Sequence, residues 1–240
     1  MRLILSACLC VLGCLAAQGV AAGPWPRAPG GFFAAISREM RDGGDWDALY
    51  AEYGLTQRLT FVLDAGRATR GGGWRAVAAL RMPVLTWGRQ QVAISLGAGL
   101  ERPNDLDLPA DGVLSSLALA GLAPLDSTVY PAIQTGISWG MGFDTVYGAG
   151  WATVDASLRR MPDLEAEERK LDLTLGLNLR PSSAVIGQIQ YADPRIVDPQ
   201  IRLGLGWVEH FGPMALEAGV GKRLRHDGEA DVKVGLWVEF

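Results

Sequence analysis

The stretch Lys170–Leu179, "KLDLTLGLNL", decides how the chain must fold. Leu171, Leu173, Leu175, Leu177 and Leu179 alternate strictly with Lys170, Asp172, Thr174, Gly176 and Asn178. Successive side chains of an extended strand point to opposite faces, so the leucines share one face and the polar set shares the other. A helix would scatter the same leucines around its circumference. This strand therefore needs an apolar environment on one side and a polar one on the other.

The same parity recurs along the chain. "QVAISLGAGLE" (91–101) sets Val92, Ile94, Leu96, Ala98 and Leu100 against Gln91, Ser95, Gly97, Gly99 and Glu101. "IRLGLGW" (201–207) sets Ile201, Leu203, Leu205 and Trp207 against Arg202, Gly204 and Gly206. "MALEAGVGKRL" (214–224) sets Met214, Leu216, Ala218 and Val220 against Glu217, Gly219, Gly221 and Arg223. The run "DVKVGLWVEF" (231–240) sets Val232, Val234, Leu236, Val238 and Phe240 against Asp231, Lys233, Gly235 and Glu239. Weaker versions lie near 31–40, 46–55, 58–67, 73–82, 131–140, 150–160 and 184–193. Together they predict twelve strands of about ten residues, the length a tilted strand needs to cross a bilayer.

The connectors alternate in character. "GLTQR", "RPSSA" and "HFGP" are tight, whereas "RDGGD", "TRGGG", "MPDLEAEER", "DPRIVDP" and "RHDGEAD" are looser and charged. Short turns at one end and hydrophilic loops at the other are the layout of an outer-membrane barrel. A secreted β-sandwich would also alternate, but its strands run to five or six residues. Trp46, Tyr53, Trp74, Trp139, Trp151, Tyr191 and Trp207 fall near strand ends, where aromatic girdles form. The expected fold class is thus all-β, a closed antiparallel transmembrane β-barrel of about twelve strands. Closure is forced, because a bilayer offers no water to satisfy a strand edge.

Composition agrees. Of 240 residues 49% are hydrophobic and the formal charge is −4, with no basic tract of the kind that binds nucleic acid. No run of about 18 apolar residues reads as a membrane helix. Arg2, the apolar run "LILSACLCVLGCLA" and the small-residue site in "AQGVAAGPWP" read as a signal peptide, 1–22, cleaved after Ala22. Residues 23–240 would then form the barrel. Cys8, Cys10 and Cys14 all lie in the signal, so the mature chain would carry neither disulfides nor Cys-ligated metals. "VLGC" (11–14) also resembles a lipobox, which would instead leave a lipidated Cys14. Both readings export the protein. Segment 102–130 is apolar without clean alternation in "GVLSSLALAGLA"; a long outer loop acting as lid or constriction is expected, with a thirteenth strand as the alternative.

Chemistry has few places to live. The two histidines, His210 and His226, have no neighbouring Ser in sequence, and no EF-hand or phosphate-cradling loop is present. No enzymatic activity, cofactor or metal is expected. Parity instead collects a mixed-charge inner face: Glu52, Arg58, Asp64, Arg75, Arg81, Glu101, Asp155, Arg159, Lys170, Asp172, Arg202, Glu217, Arg223, Lys233 and Glu239. These charges could line a narrow passage, or pair across the lumen and fill it. Strand number does not decide, since eight-stranded barrels are filled and those of sixteen or more are open. The inward glycines Gly97, Gly99, Gly176, Gly204, Gly206, Gly219 and Gly221 argue for open volume or for tight curvature.

The ending "KVGLWVEF" resembles the C-terminal assembly signal of Gram-negative, proteobacterial outer-membrane barrels, with Lys233, Gly235, Val238 and Phe240 in its four places. The strand–turn–strand run "YAEYGLTQRLTF" is similar to turns of porin-like, transport-type barrels. The resemblance implies delivery to the barrel-assembly machinery and a home among outer-membrane lipids and lipopolysaccharide. The leading expectation is a passive, porin-like channel for small solutes. The alternatives are an accessory barrel with a plugged lumen and, behind it, a lipid-active enzyme.

Overall fold

Each alternating run becomes a strand because only cross-strand hydrogen bonds can satisfy a two-faced backbone in lipid. The computed structural model describes residues 23–103, 129–194, 198–224 and 228–240. Its strands are β1 (Phe32–Met40), β2 (Trp46–Gly54), β3 (Thr60–Ala68), β4 (Trp74–Trp87), β5 (Gln90–Arg102) and β6 (Tyr130–Thr145). They continue with β7 (Gly148–Met161), β8 (Ala166–Arg180), β9 (Ser183–Asp193), β10 (Gln200–Phe211), β11 (Met214–Arg223) and β12 (Ala230–Glu239). Each pairs antiparallel with its sequence neighbours, and β1 pairs with β12 to close the ring. At that seam Phe32 and Phe240 exchange both backbone bonds, each 2.9 Å long.

Register stacks like faces. Leu173 lies between Val154 and Ile189, and Leu205 between Gly187 and Val220. The result is inverted relative to a soluble protein. Leu96, Leu205 and Val220 are 63%, 58% and 59% exposed on the outer wall, while Glu52 and Arg159 are 1% and 4% exposed inside. A sandwich with this pattern would bury its charges and show its leucines to water, so the barrel fold stands.

The tight connectors and the loose ones gather at opposite ends, and the segment leading into β1 lies at the tight end with Phe240. Strands β4 to β8 are longer than expected, at 13 to 16 residues. Their polar tips, such as the Arg89–Asp144 pair, extend past the apolar belt. Pro83 has no N–H to give the ladder, and it sits where the β4–β5 register slips between Pro83 and Leu85. β5 pairs directly with β6 from Gln90 to Glu101, so the wall holds no thirteenth strand between them. The lid expected of 102–130 falls, over 104–128, outside the described residues.

The expected aromatic girdle needs a correction. Tyr53, Trp74 and Tyr191 occupy outward positions at or near strand ends, whereas Trp139 and Trp207 face outward within β6 and β10. Trp46 and Trp151 point inward, because they share parity with Glu52 and with Arg159. Position along the strand says how deep a ring sits; only parity says on which side.

The lipid-facing assignment has a sharp consequence. Leu205→Arg is expected to lower folding stability in phospholipid vesicles by about 2–4 kcal/mol, the cost of a cation at mid-bilayer. At a water-exposed site the same change would stay within about 0.5 kcal/mol. Urea unfolding of the vesicle-reconstituted protein separates the two.

Candidate functional site: the barrel lumen

The lumen divides into two levels. At the tight-turn end it is occupied by chain that belongs to no strand. Residues 23–31 turn inward ahead of β1, with Gly23 and Pro24 buried. An added side chain at Gly140 on β6 would meet Pro24 and the Trp25 ring within 2.8 Å, and one at Gly23 would meet Thr153 at 2.6 Å. Trp25 and Trp237 pack on an inward apolar cluster of Trp151, Ala184, Ile186, Val208 and Ala215. An apolar plug thus fills a space that parity alone assigns to polar residues.

One carboxylate ties this plug to the wall. Glu52 is buried and accepts hydrogen bonds from Arg27 Nε (2.6 Å), Arg81 Nη2 (2.7 Å) and the Tyr50 hydroxyl (2.6 Å). Arg27 also reaches Glu239 at 2.5 Å, donates its backbone N–H to Thr60 Oγ1, and lies over the Phe33 ring at 4.8 Å. Buried charges tolerate this only because each is paired and further hydrogen-bonded. Charge-assisted bonds of this kind are about twice as strong as neutral ones.

Towards the loop end the lumen is charged. Arg159 pairs with Glu101 at 2.8 Å and with Glu168. Arg75 pairs with Asp64 at 3.6 Å and stacks over Trp46. Arg202 grips Asp231 through two bonds of 2.9 and 2.5 Å and lies 3.8 Å from Glu39. Lys233 pairs with Glu217 at 2.9 Å, and Arg223 with Glu229 at 3.8 Å. Asp155 and Asp172 are register partners on β7 and β8, with Lys170 beside them. Among the described residues these three form no ion pair within 4 Å; the Ser138 and Thr153 side chains hydrogen-bond Asp155 instead.

Fourteen of the fifteen sequence-derived lumen candidates therefore occupy strand positions on the inner face. Arg58 does not. It lies in the turn between β2 and β3, exposed, because β3 begins only at Thr60 and parity has no meaning before a strand starts. Sequence reading missed Glu39 and Glu168, which share the inner parity of their strands, and Tyr50, which shares that of Glu52; it set Asp231 on the polar face of its strand but left it out of the lumen set. It also missed Trp25 and Arg27, which precede every strand and so carry no parity signal.

Several of the inward glycines are seats for neighbours, while Gly204, Gly206 and Gly219 line a small cavity. The Trp151 ring covers Gly176, where an added side chain would meet it at 2.1 Å. The Arg202–Asp231 pair crowds Gly221 within 2.6 Å, and Gly99 faces the backbone of β4 at 2.1 Å. A cavity of about 10 Å3 beside Arg202, Glu217 and Lys233 is room for about one water. His210 points inward, with Nδ1 3.2 Å from the Ser182 carbonyl oxygen. The Ser183 hydroxyl donates to Glu209 at 2.7 Å, so these side chains do not assemble the nucleophile–base contact of a hydrolase. His226 lies outside the described residues.

No family model matches the sequence, and no curated protein matches it. Solved structures do resemble the fold. The KdgM porin aligns with a TM-score of 0.58 at 10% identity, over 87% of this chain and 99% of that one. The NanC porin gives 0.56 at 6% identity, over 87% of this chain and 100% of that one. LpxR from Salmonella typhimurium gives 0.54 at 9% identity, over 87% and 99%. At such identities the likeness carries the fold alone, and that fold is the Gram-negative outer-membrane β-barrel.

Proposed function

We propose that the chain is an outer-membrane channel for small polar solutes, held closed in this conformation by residues 23–31. The observation that carries this reading is the division of the lumen. A charged vestibule with three groups outside any ion pair among the described residues ends on a plug that belongs to no strand and is held by the Arg27 contacts and by Trp25 on the inward apolar cluster. A filler built from strand side chains would leave nothing to move; a segment that forms no part of the wall can. The fold shared with the KdgM and NanC porins supports the same reading. With Asp155 and Asp172 facing each other and neither held in an ion pair within 4 Å among the described residues, the vestibule favours cations over anions.

Export with cleavage after Ala22 belongs to this proposal: it would leave Gly23 as the first residue, already seated in the lumen beside Thr153. Insertion by the barrel-assembly machinery, with Lys233, Gly235, Val238 and Phe240 as the recognised ending, belongs to it as well. The reading assigns no chemistry to His210. A second reading, an accessory barrel with a permanently plugged lumen, is favoured by the pairing of most lumen charges.

Four outcomes follow from this reading. In planar bilayers the wild type should open rarely, and Trp25→Ala/Arg27→Ala should raise open probability at least tenfold; if neither ever conducts, the permanently plugged barrel is the correct reading. Open channels should show a cation-selective reversal potential that shifts towards zero in Asp155→Asn/Asp172→Asn. Glu52→Gln leaves the buried Arg81 guanidinium without its carboxylate and takes one of two from Arg27, and its heat-modifiability transition should reflect a loss of about 3–5 kcal/mol. Finally, Phe240→Ala should cut the level of folded protein in outer-membrane fractions several-fold, and an unchanged level would remove the assembly role of the ring.

A further inference from the structure

The buried start of the plug meets a stretch of inner wall whose carboxylates have no cation. Gly23 and Pro24 are buried and rest on Gly140 and Thr153, register partners on β6 and β7. An added Cβ at Gly23 would lie 2.6 Å from the Thr153 methyl and 2.9 Å from the Trp25 ring. The next inward register pair towards the loop end is Ser138 and Asp155. Both the Ser138 and the Thr153 side chain hydrogen-bond Asp155. Thr153 therefore touches two groups, Gly23 on its methyl and Asp155 on its hydroxyl. Among the described residues, the Gly23 nitrogen donates to no acceptor.

The other carboxylates around the plug are already paired. Glu52 holds Arg27 and Arg81, Glu239 holds Arg27, and Glu217 holds Lys233. Asp155 and its register partner Asp172 form no ion pair within 4 Å among the described residues. An ionised carboxylate offers about four acceptor sites, so two hydroxyl donors leave Asp155 with room for another partner. Charges in a confined interior are tolerated when each is paired and hydrogen-bonded. The wall is thus one positive charge short at the place where the plug begins.

We propose that removal of the signal segment supplies that charge: the α-ammonium created on Gly23 pairs with Asp155 and latches residues 23–31 in the lumen. Hydrolysis of the Ala22–Gly23 peptide bond by a signal peptidase consumes one water. Ala22 leaves with the carboxylate, and the freed Gly23 amine takes up a proton. The precursor offers only a neutral amide N–H at this position, whereas an α-amino group, with an ordinary pKa of about 8, is charged at neutral pH. An ammonium–carboxylate hydrogen bond is about twice as strong as a neutral one. The plug therefore locks only once the leader is gone, when the chain has been exported. The inference rests on cleavage after Ala22 and on a plug that can move, as proposed above; it does not require the pore to conduct.

The exported, processed protein in detergent tests it. N-terminal sequencing should return Gly23; a mature chain that begins elsewhere, a lipidated Cys14 included, overturns the latch. Trypsin then reads plug release without any conductance. The Arg27 side chain is only 13% exposed in the lumen, and cutting after it frees the peptide Gly23–Arg27 for mass spectrometry. Asp155→Asn should speed that release at least tenfold, and Asp155→Glu should return it to within about threefold of wild type. Transamination of the unfolded wild type turns the Gly23 amine into a carbonyl and leaves every side chain in place. After refolding, this chain should release the peptide as fast as Asp155→Asn, and it carries the test alone if that variant does not fold. The same treatment of Asp155→Asn should add nothing, because both changes remove one ion pair. Heat-modifiability on gels checks that each chain is a folded barrel. Release that ignores Asp155 or the amine, or two accelerations that multiply, would overturn the proposal. A latch that behaves as expected in a barrel that never conducts would sink the channel reading and leave this inference standing.

Discussion

The backbone's need for hydrogen bonds in a medium without water governs this molecule. Each strand edge left open in lipid would cost several kcal/mol per unsatisfied group, so the sheet must return to its first strand. The reciprocal pair between Phe32 and Phe240 is where that requirement is met. Everything else follows from closure: an even number of strands, both ends of the sheet at one rim, and a wall with an inside and an outside.

Once a wall exists, polarity sorts by parity, and the two faces obey different physics. The outer face needs only apolar bulk, so leucine, valine and isoleucine are nearly interchangeable along it. The inner face carries charges in a confined space, where each must find a partner or water. That accounts for Glu52 with its three donors and for Arg202 with Asp231. It also explains why a tryptophan and a proline from outside the wall can fill the lower lumen. Apolar groups in a narrow polar tube are stable when they meet one another, and Ile186, Val208 and Ala215 turn inward at that level to meet them.

The fold was almost wholly legible, because a period of two over ten residues is a strong signal and lipid enforces it along most of the wall. The inner wall was legible for the same reason, Asp155 and Asp172 included, although their facing each other is a matter of register. Arg58 shows the limit: it has the right parity but sits in a turn. Trp46 and Trp151 show another, since their depth suited a girdle while their side of the sheet did not. The outward row of Arg38, Asp47 and Arg67 was hidden by its own alternation. In β1 it reads as one arginine among apolar neighbours, and only the register of three strands brings the charges together.

The sequence by itself determined the strand count, the sidedness of nearly every residue and the polarity of both ends, because these depend on local alternation and on connector composition. Tertiary structure alone decided what the lumen holds. Whether a charge pairs with a neighbour three strands away, as Arg202 does with Glu39, depends on barrel curvature and register. Whether residues 23–31 stay outside or enter depends on an aromatic cluster assembled from β7, β9, β10, β11 and β12. Such contacts join residues far apart in the chain, and no periodicity along it records them.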